Sequence, residues 1–242
     1  MENIIEIKGL KKSFGDKEVL KNIELTVSKG ENLVVLGKSG QGKSVLIKCV
    51  IGMIEPDEGS IKLFNEEIIG IDEQKLREIR TKVGFLFQSG ALYDSMTVRE
   101  NLSFALTRVL HIKEEAEIEA LTIEVLTAVG LGDAIDKMPS DLSGGMRKRL
   151  ALARTLIVKP AIILYDEPTT GLDTITSKEI SQLMLEVQKK YQTTSVIITH
   201  DISCAAITSN RIIILDNGAF IGEGSFEALS NSEVPFIQSF FK

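Results

Sequence analysis

Gly37, Gly42, Lys43 and Ser44 satisfy the spacing G-x-x-x-x-G-K-[ST], and the apolar run Leu33-Val34-Val35-Leu36 ahead of them supplies the strand this pattern requires. Glycines let the backbone take positive φ and approach an anion closely. Successive N–H groups along Lys38, Ser39, Gly40, Gln41 and Gly42 can therefore turn toward phosphate oxygens. A helix starting near Lys43 and continuing through Val45 adds the positive end of its dipole. On this reading Lys43 reaches the β- and γ-phosphates as a point charge and the Ser44 hydroxyl sits on Mg2+. A glycine-rich turn that binds nothing has the same local pattern, so the rest of the chemistry has to be found elsewhere in the chain.

A phosphate loop needs a carboxylate at the end of a neighbouring strand, and Ile162-Ile163-Leu164-Tyr165-Asp166 supplies one. Glu167 follows directly. Adjacent side chains at a strand end diverge, so Asp166 can serve Mg2+ while Glu167 faces an attacking water as base or orienter. Alone, an Asp-Glu pair at a strand end is a weak signal and is more often a solvated turn. It gains meaning from Pro168-Thr169-Thr170-Gly171-Leu172-Asp173 after it and Leu142-Ser143-Gly144-Gly145-Met146 before it. Ser143, Gly144 and Gly145 precede a basic helical stretch, Arg147-Lys148-Arg149, and make a second anion cradle. Those cations read equally as a solvated face. Taken singly, Phe14 is a core aromatic, Gln88 a strand-end cap and His200 a hydrogen-bonded histidine. Their places at the ends of apolar strands favour a site, because open α/β sheets bind ligands at the carboxyl ends of strands.

The elements that must position these residues follow from periodicity. Segments 4–10 and 19–27 alternate apolar and polar side chains and predict an antiparallel opening, with a further strand at 60–64. Residues 73–81 read as a short polar helix and 83–87 as a strand ending at Gln88. From about 89 to 159 the spacing turns helical, as in Val98, Leu102, Ala105 and Leu106, which predicts a helical subdomain. Strands at 161–165 and 195–199 flank a helix at 176–191, a β–α–β alternation that implies a parallel sheet. A helix is expected at 201–209. Asn217-Gly218 between the apolar runs 211–215 and 219–222 predicts a hairpin, and 226–242 a helical tail broken at Pro235. The fold class is α/β: one domain, residues 1–242, with a mixed β core, an N-terminal antiparallel subdomain and the helical subdomain.

The 242 residues, 43% hydrophobic and 26% charged, suffice for a sizeable core, and the net charge of -6 argues against a protein that coats nucleic acid. Cys49 and Cys204 have no metal-ligand spacing and read as buried, reduced thiols. The start Met1-Glu2-Asn3-Ile4 carries no basic, then apolar, leader, and no apolar run approaches the ~18 residues of a membrane span. The expectation is a protein on the cytoplasmic side.

Taken together, the motifs resemble the ATP-binding-cassette ATPases over roughly residues 4–225. Residues 37–44 match the Walker A motif, 162–166 Walker B and 142–146 the family signature. The resemblance implies that Phe14 stacks on adenine, Gln88 contacts Mg2+ and the transport partner, and Glu167 catalyses, with Lys43 and His200 at the γ-phosphate and Asp173 in the loop between cassettes. It implies ATP and Mg2+ as ligands. It also implies a head-to-tail homodimer in which Ser143, Gly144 and Gly145 of one copy close on the nucleotide held by the other. Met146 where glutamine is commonest and Thr174 where proline often follows depart from the pattern without touching the phosphate cradle.

The string from Gln88 through Ser89-Gly90-Ala91-Leu92-Tyr93-Asp94-Ser95-Met96-Thr97 to Val98 is similar to the ATPases of bacterial MCE/Mla-type lipid transporters. That similarity implies phospholipid transport, a separate membrane permease docking on 88–98, an MCE-type lipid-binding protein in the same complex, a peripheral place on the inner membrane and no nucleic acid partner. Two other classes stay open: an importer or exporter ATPase for another substrate such as an amino acid, and a single-cassette ATPase outside transport.

Overall fold

The alternating segments that open the chain form β1 (Asn3–Phe14) and β2 (Lys17–Ser28) of the computed structural model, which describes residues 2–241. The apolar run ahead of the glycine loop is β3 (Asn32–Leu36), buried at every position, and α1 (Lys43–Val50) starts where the loop ends. Then come β4 (Glu58–Leu63), β5 (Glu66–Glu67), α2 (Glu73–Thr81) and β6 (Val83–Leu86). Helices α3 (Val98–Arg108), α4 (Glu115–Ala128) and α5 (Gly144–Leu156) follow. The second half holds β7 (Ile162–Asp166), α6 (Thr174–Tyr191), β8 (Thr194–Thr199), α7 (Ile202–Thr208), β9 (Arg211–Asp216) and β10 (Ala219–Gly224). The tail folds as α8 (Phe226–Ser230) and α9 (Pro235–Gln238), with Pro235 opening the second helix, where its missing N–H costs nothing.

The antiparallel sheet has the order β2-β1-β4-β5, and the larger sheet the order β10-β9-β3-β8-β7-β6. In the larger sheet β9, β3, β8, β7 and β6 run parallel, and β10 adds an antiparallel edge through the Asn217-Gly218 turn. The segment after α1 becomes β4 and pairs with β1, Ile5 opposite Leu63 and Ile7 opposite Ile61. Side chains alternate across a strand, and the parallel sheet uses both faces. Leu33, Val35, Leu164 and Ile198 pack toward the antiparallel sheet and α1, whereas Val34, Leu36, Ile163 and Ile197 pack toward α3–α7. That two-sided burial explains why these strands read as unbroken apolar runs.

The helical stretch begins later than periodicity suggests: residues 89–97 are loop and α3 starts at Val98. Thr97 and Glu100 form a reciprocal capping box that fixes this start, with the Thr97 hydroxyl accepting from the Glu100 N–H and the Glu100 carboxylate accepting from the Thr97 N–H. The loop ahead of it takes positive φ at Gly90 and Ala91. Among the described residues no helix is long and apolar enough to cross a membrane.

Candidate functional site

Neighbouring strands of the parallel sheet end together and deliver the site. Gly37 follows β3, Asp166 ends β7 with Glu167 next, and His200 follows β8. Backbone bonds tie these ends to one another: Gly37 N–H donates to the Thr199 carbonyl at 3.3 Å and Glu167 N–H to the Ile198 carbonyl at 2.9 Å. Glu167 itself sits at φ 50, in the left-handed region that few non-glycine residues enter. Two loop glycines are required by space. A Cβ on Gly37 would run into the Leu215 carbonyl, and one on Gly42, at φ 101, would lie 2.8 Å from the Val19 carbonyl.

The charged side chains interlock. The Lys43 ammonium, whose side chain is 5% exposed, lies 3.2 Å from Glu167 Oε1, and Glu167 is 11% exposed. Lys43 also donates to the carbonyls of Gly37 at 2.7 Å and Lys38 at 3.0 Å. Glu167 Oε2 meets His200 Nδ1 at 2.8 Å and accepts from the Thr170 hydroxyl at 3.3 Å. Asp166 turns the other way and accepts from the Ser44 hydroxyl at 2.8 Å. The two adjacent carboxylates therefore have separate partners, one set basic and one a hydroxyl.

A cavity of about 250 Å³ is lined by Val19, Ser39, Gly40, Gly42, Lys43, Ser44, Val45, Gln88, Glu167, Thr170 and His200, with Asp166 behind the Ser44 hydroxyl and not in the lining. That is below the ~300–1,000 Å³ of sites that enclose a whole organic ligand, and it suits a phosphate tail with the remainder of the ligand outside. Ser44 and Asp166 are hard oxygen donors of the kind Mg2+ takes together with phosphate oxygens and water, so the donor set fits that ion. Gly37, Lys38, Gln41 and Phe14, also singled out in the sequence, are not among the residues that line the cavity. The carbonyls of Gly37 and Lys38 hold Lys43, and Gln41 Oε1 accepts from the Asn217 N–H at the β9–β10 turn. Phe14 lies at the end of β1, 50% exposed, with the Lys12 ammonium 5.4 Å from its ring centre. Val19 and Thr170 line the cavity without having been singled out. Thr170 follows the acidic pair by three residues, whereas Val19 belongs to a different sheet and carried no signal.

Ser143, Gly144 and Gly145 are not in this cavity. Ser143 caps α5, its hydroxyl accepting from the Met146 N–H at 3.3 Å. A Cβ on Gly144 would meet Leu172 at 3.6 Å, and one on Gly145 would meet Thr176 at 2.7 Å. Asp173 stands beside them, exposed, and caps α6 through the N–H groups of Ile175 and Thr176. The Thr176 hydroxyl bonded to Asp173 holds its carboxyl below the usual range. The second anion cradle is thus separate from the cavity at the chain's own phosphate loop, with Ser143 and Gly144 exposed.

The loop after Gln88 is built on Asn101, which is fully buried on α3. Its amide donates to the carbonyls of Tyr93, Met96 and Thr97, and its carbonyl accepts from the Tyr93 N–H at 3.0 Å. Beside this loop runs a groove of about 260 Å³ whose apolar wall includes Phe85, Tyr93, Phe104 and Val109.

Comparison with known proteins agrees with this geometry. A family model described as ABC transporter matches residues 20–170. The chain is 41% identical over 236 residues to the "Probable ribonucleotide transport ATP-binding protein mkl" of Mycobacterium tuberculosis (strain ATCC 25618 / H37Rv), covering 98% of this chain and 66% of that protein. It is 35% identical over 237 residues to the "Methionine import ATP-binding protein MetN" of Brucella suis biovar 1 (strain 1330), covering 98% and 64%. The chain therefore spans 64–66% of the length of these curated relatives. Among solved structures, the dimeric post-hydrolysis state of the ATP-binding cassette MJ0796 bound to ADP and Pi superposes with a TM-score of 0.83 at 32% identity, over 92% of this chain and 98% of that one. The structure of cbiO1 from Clostridium perfringens, part of the ABC transporter complex cbiONQ, gives 0.87 at 28% identity, over 99% and 98%.

Proposed function

The chain belongs to the ABC transporter family, and from that premise we propose that it is the ATP-hydrolysing subunit of a lipid transporter, acting as a homodimer under a separate membrane permease. The observation that carries the ATPase reading is the convergence of Lys43, Ser44, Asp166, Glu167 and His200 at the ends of adjacent parallel strands. In this reading the loop N–H groups and Lys43 hold the phosphate tail, and the exposed Phe14 ring receives adenine. Ser44, Asp166 and Gln88 would hold Mg2+, which neutralises charge on the phosphate oxygens. Glu167 aligns a water for in-line attack on the γ-phosphorus and takes its proton; the bond to the β-phosphate oxygen breaks, giving ADP and phosphate. His200 keeps the Glu167 carboxylate in place and Lys43 stabilises charge on the transferred group. Ser143, Gly144 and Gly145, displaced from their own cavity, close instead on the phosphate of a second copy, with Asp173 in the seam. The helical subdomain, 89–159, carries that closing surface. The dimeric state of the solved cassette supports this arrangement.

For the partners, the cbiONQ relation supports a permease, and the groove beside the Asn101-held loop is where we place it. Lipid as cargo rests on the 88–98 string, with an MCE-type lipid-binding protein in the same assembly. A second reading, import of a small polar solute, is favoured by the names of the relatives, which specify ribonucleotide and methionine transport. The deciding experiment is ATPase stimulation of the assembled transporter in nanodiscs. Movement of a fluorescent phospholipid coupled to ATP supports the first reading; stimulation by a soluble amino-acid-binding or nucleotide-binding protein, with no lipid movement, replaces it by the second.

A further inference from the structure

The helix that carries the second cradle is fastened to the loop that borders the chain's own phosphate cavity. Three cations of α5 reach across to loop 88–94. Lys148 Nζ donates to the Gln88 carbonyl at 2.5 Å, Arg147 Nη2 lies 3.3 Å from Asp94 Oδ1, and Arg154 donates to the Ala91 carbonyl while its guanidinium stacks 5.3 Å from the Tyr93 ring centre. Gly90, at φ +79, lets the loop lie flat on α5, where a Cβ would come 3.3 Å from Ala151. Lys148 differs from the two arginines. The one hydrogen bond of its side chain among the described residues goes to the carbonyl of Gln88, which lines the cavity.

We propose that Lys148 is a positioning residue that transmits the state of one phosphate cavity to the cradle on the same chain: it locks the Gln88 backbone to α5, three residues beyond Gly145, so loop and cradle move together. A phosphate chain bound beside Gln88 then sets where Ser143, Gly144 and Gly145 stand for the second copy. The inference rests on the ATPase reading and on the side chain of Gln88 facing bound nucleotide.

The test uses the full chain carrying Lys148→Met, Lys148→Gln and Lys148→Arg, each alone and with Glu167→Gln. Binding of a fluorescent ATP analogue to the monomer, with and without Mg2+, should stay within about twofold of the parent for all three, because Lys148 does not line the cavity. ATP-driven dimerisation in the Glu167→Gln background should weaken at least tenfold for Met and Gln and recover for Arg, which can still donate to a carbonyl. Hydrogen exchange of amides 88–94 should speed up at least tenfold in Lys148→Met while amides of β3 and β7 stay unchanged. Unaltered dimerisation and unaltered exchange in both neutral variants would overturn the proposal. A loss of analogue binding as large as the loss of dimerisation would also overturn it, since Lys148 would then act directly on nucleotide. Failure of the Gln88 reading looks different: Gln88→Ala would leave analogue binding, its Mg2+ dependence and dimerisation untouched while the exchange result for Lys148→Met still stood.

Discussion

Replacing Glu167 by glutamine separates its ion pair with Lys43 from the base role proposed for it. The carboxylate pairs with Lys43 at 3.2 Å, with both side chains nearly buried, so its charge is scarcely screened by water. A hydrogen bond between charged partners contributes about 1.5–3 kcal/mol to stability. Glutamine keeps the shape and can still accept from Thr170, and Lys43 retains the carbonyls of Gly37 and Lys38. The cost therefore falls at the lower end, about 1.5 kcal/mol, and for a domain of this size that is a fall in Tm of roughly 3–6 °C. In the proposed mechanism the chemical step loses its base, and general-base contributions run to about 10²–10⁴ in rate, equivalent to roughly 3–5 kcal/mol of barrier. The assay is steady-state phosphate release by the purified protein, paired with thermal unfolding and ATP-analogue binding. The expected pattern is a drop in kcat of at least a hundredfold, analogue binding equal to or tighter than wild type, and a few degrees of lost Tm. Turnover above a tenth of wild type would refute the assignment of Glu167 as the base. A fall in binding proportional to the fall in rate would show that it merely holds Lys43.

Other expectations follow from the same packing. Asn101→Leu removes the four side-chain hydrogen bonds to the backbone of Tyr93, Met96 and Thr97, so stability should fall by about 1–3 kcal/mol. The protein should keep nucleotide binding and lose affinity for its permease, measured by co-purification and by urea unfolding. Burial pushes the thiols of Cys49 and Cys204 up to about 11, so at pH 8 only about one in a thousand is thiolate, and a chromogenic disulfide reagent should react with neither until the protein unfolds. Because these pKa values are raised on folding, the thiols' contribution to stability is fully present below the ordinary thiol range and is lost as pH climbs toward 11; alkaline unfolding should therefore shift upward in a Cys49→Ala, Cys204→Ala variant.

The phosphate loop was legible because its chemistry is local: strand, glycines, lysine and hydroxyl lie within one short stretch, and the structure places them in that order. The parallel strands were legible because burial on both faces leaves apolar runs that nothing else explains. What could not be read depends on contacts distant in sequence. The pairing of β4 with β1 is fixed by the shared core of Ile5, Ile7 and Ile61. The loop at 89–97 carries apolar residues at helix-like spacing, yet Asn101 consumes its backbone groups and holds it open. The left-handed backbone of Glu167 has no sequence signal at all; a bond to the Ile198 carbonyl and the ion pair with Lys43 hold it there. Lys148 likewise reads as part of a solvated basic face until α5 is seen lying on the Gln88 loop.

The claim on which the whole reading turns is that the cradle at Ser143, Gly144 and Gly145 serves a nucleotide bound by another copy. Light scattering of the Glu167→Gln protein with ATP and Mg2+, compared with the same protein carrying Ser143→Arg, tests it most directly. The account predicts a doubling of mass for the first and a monomer that still binds nucleotide for the second. A dimer undiminished by Ser143→Arg, or no ATP-dependent dimer in either protein, would contradict it.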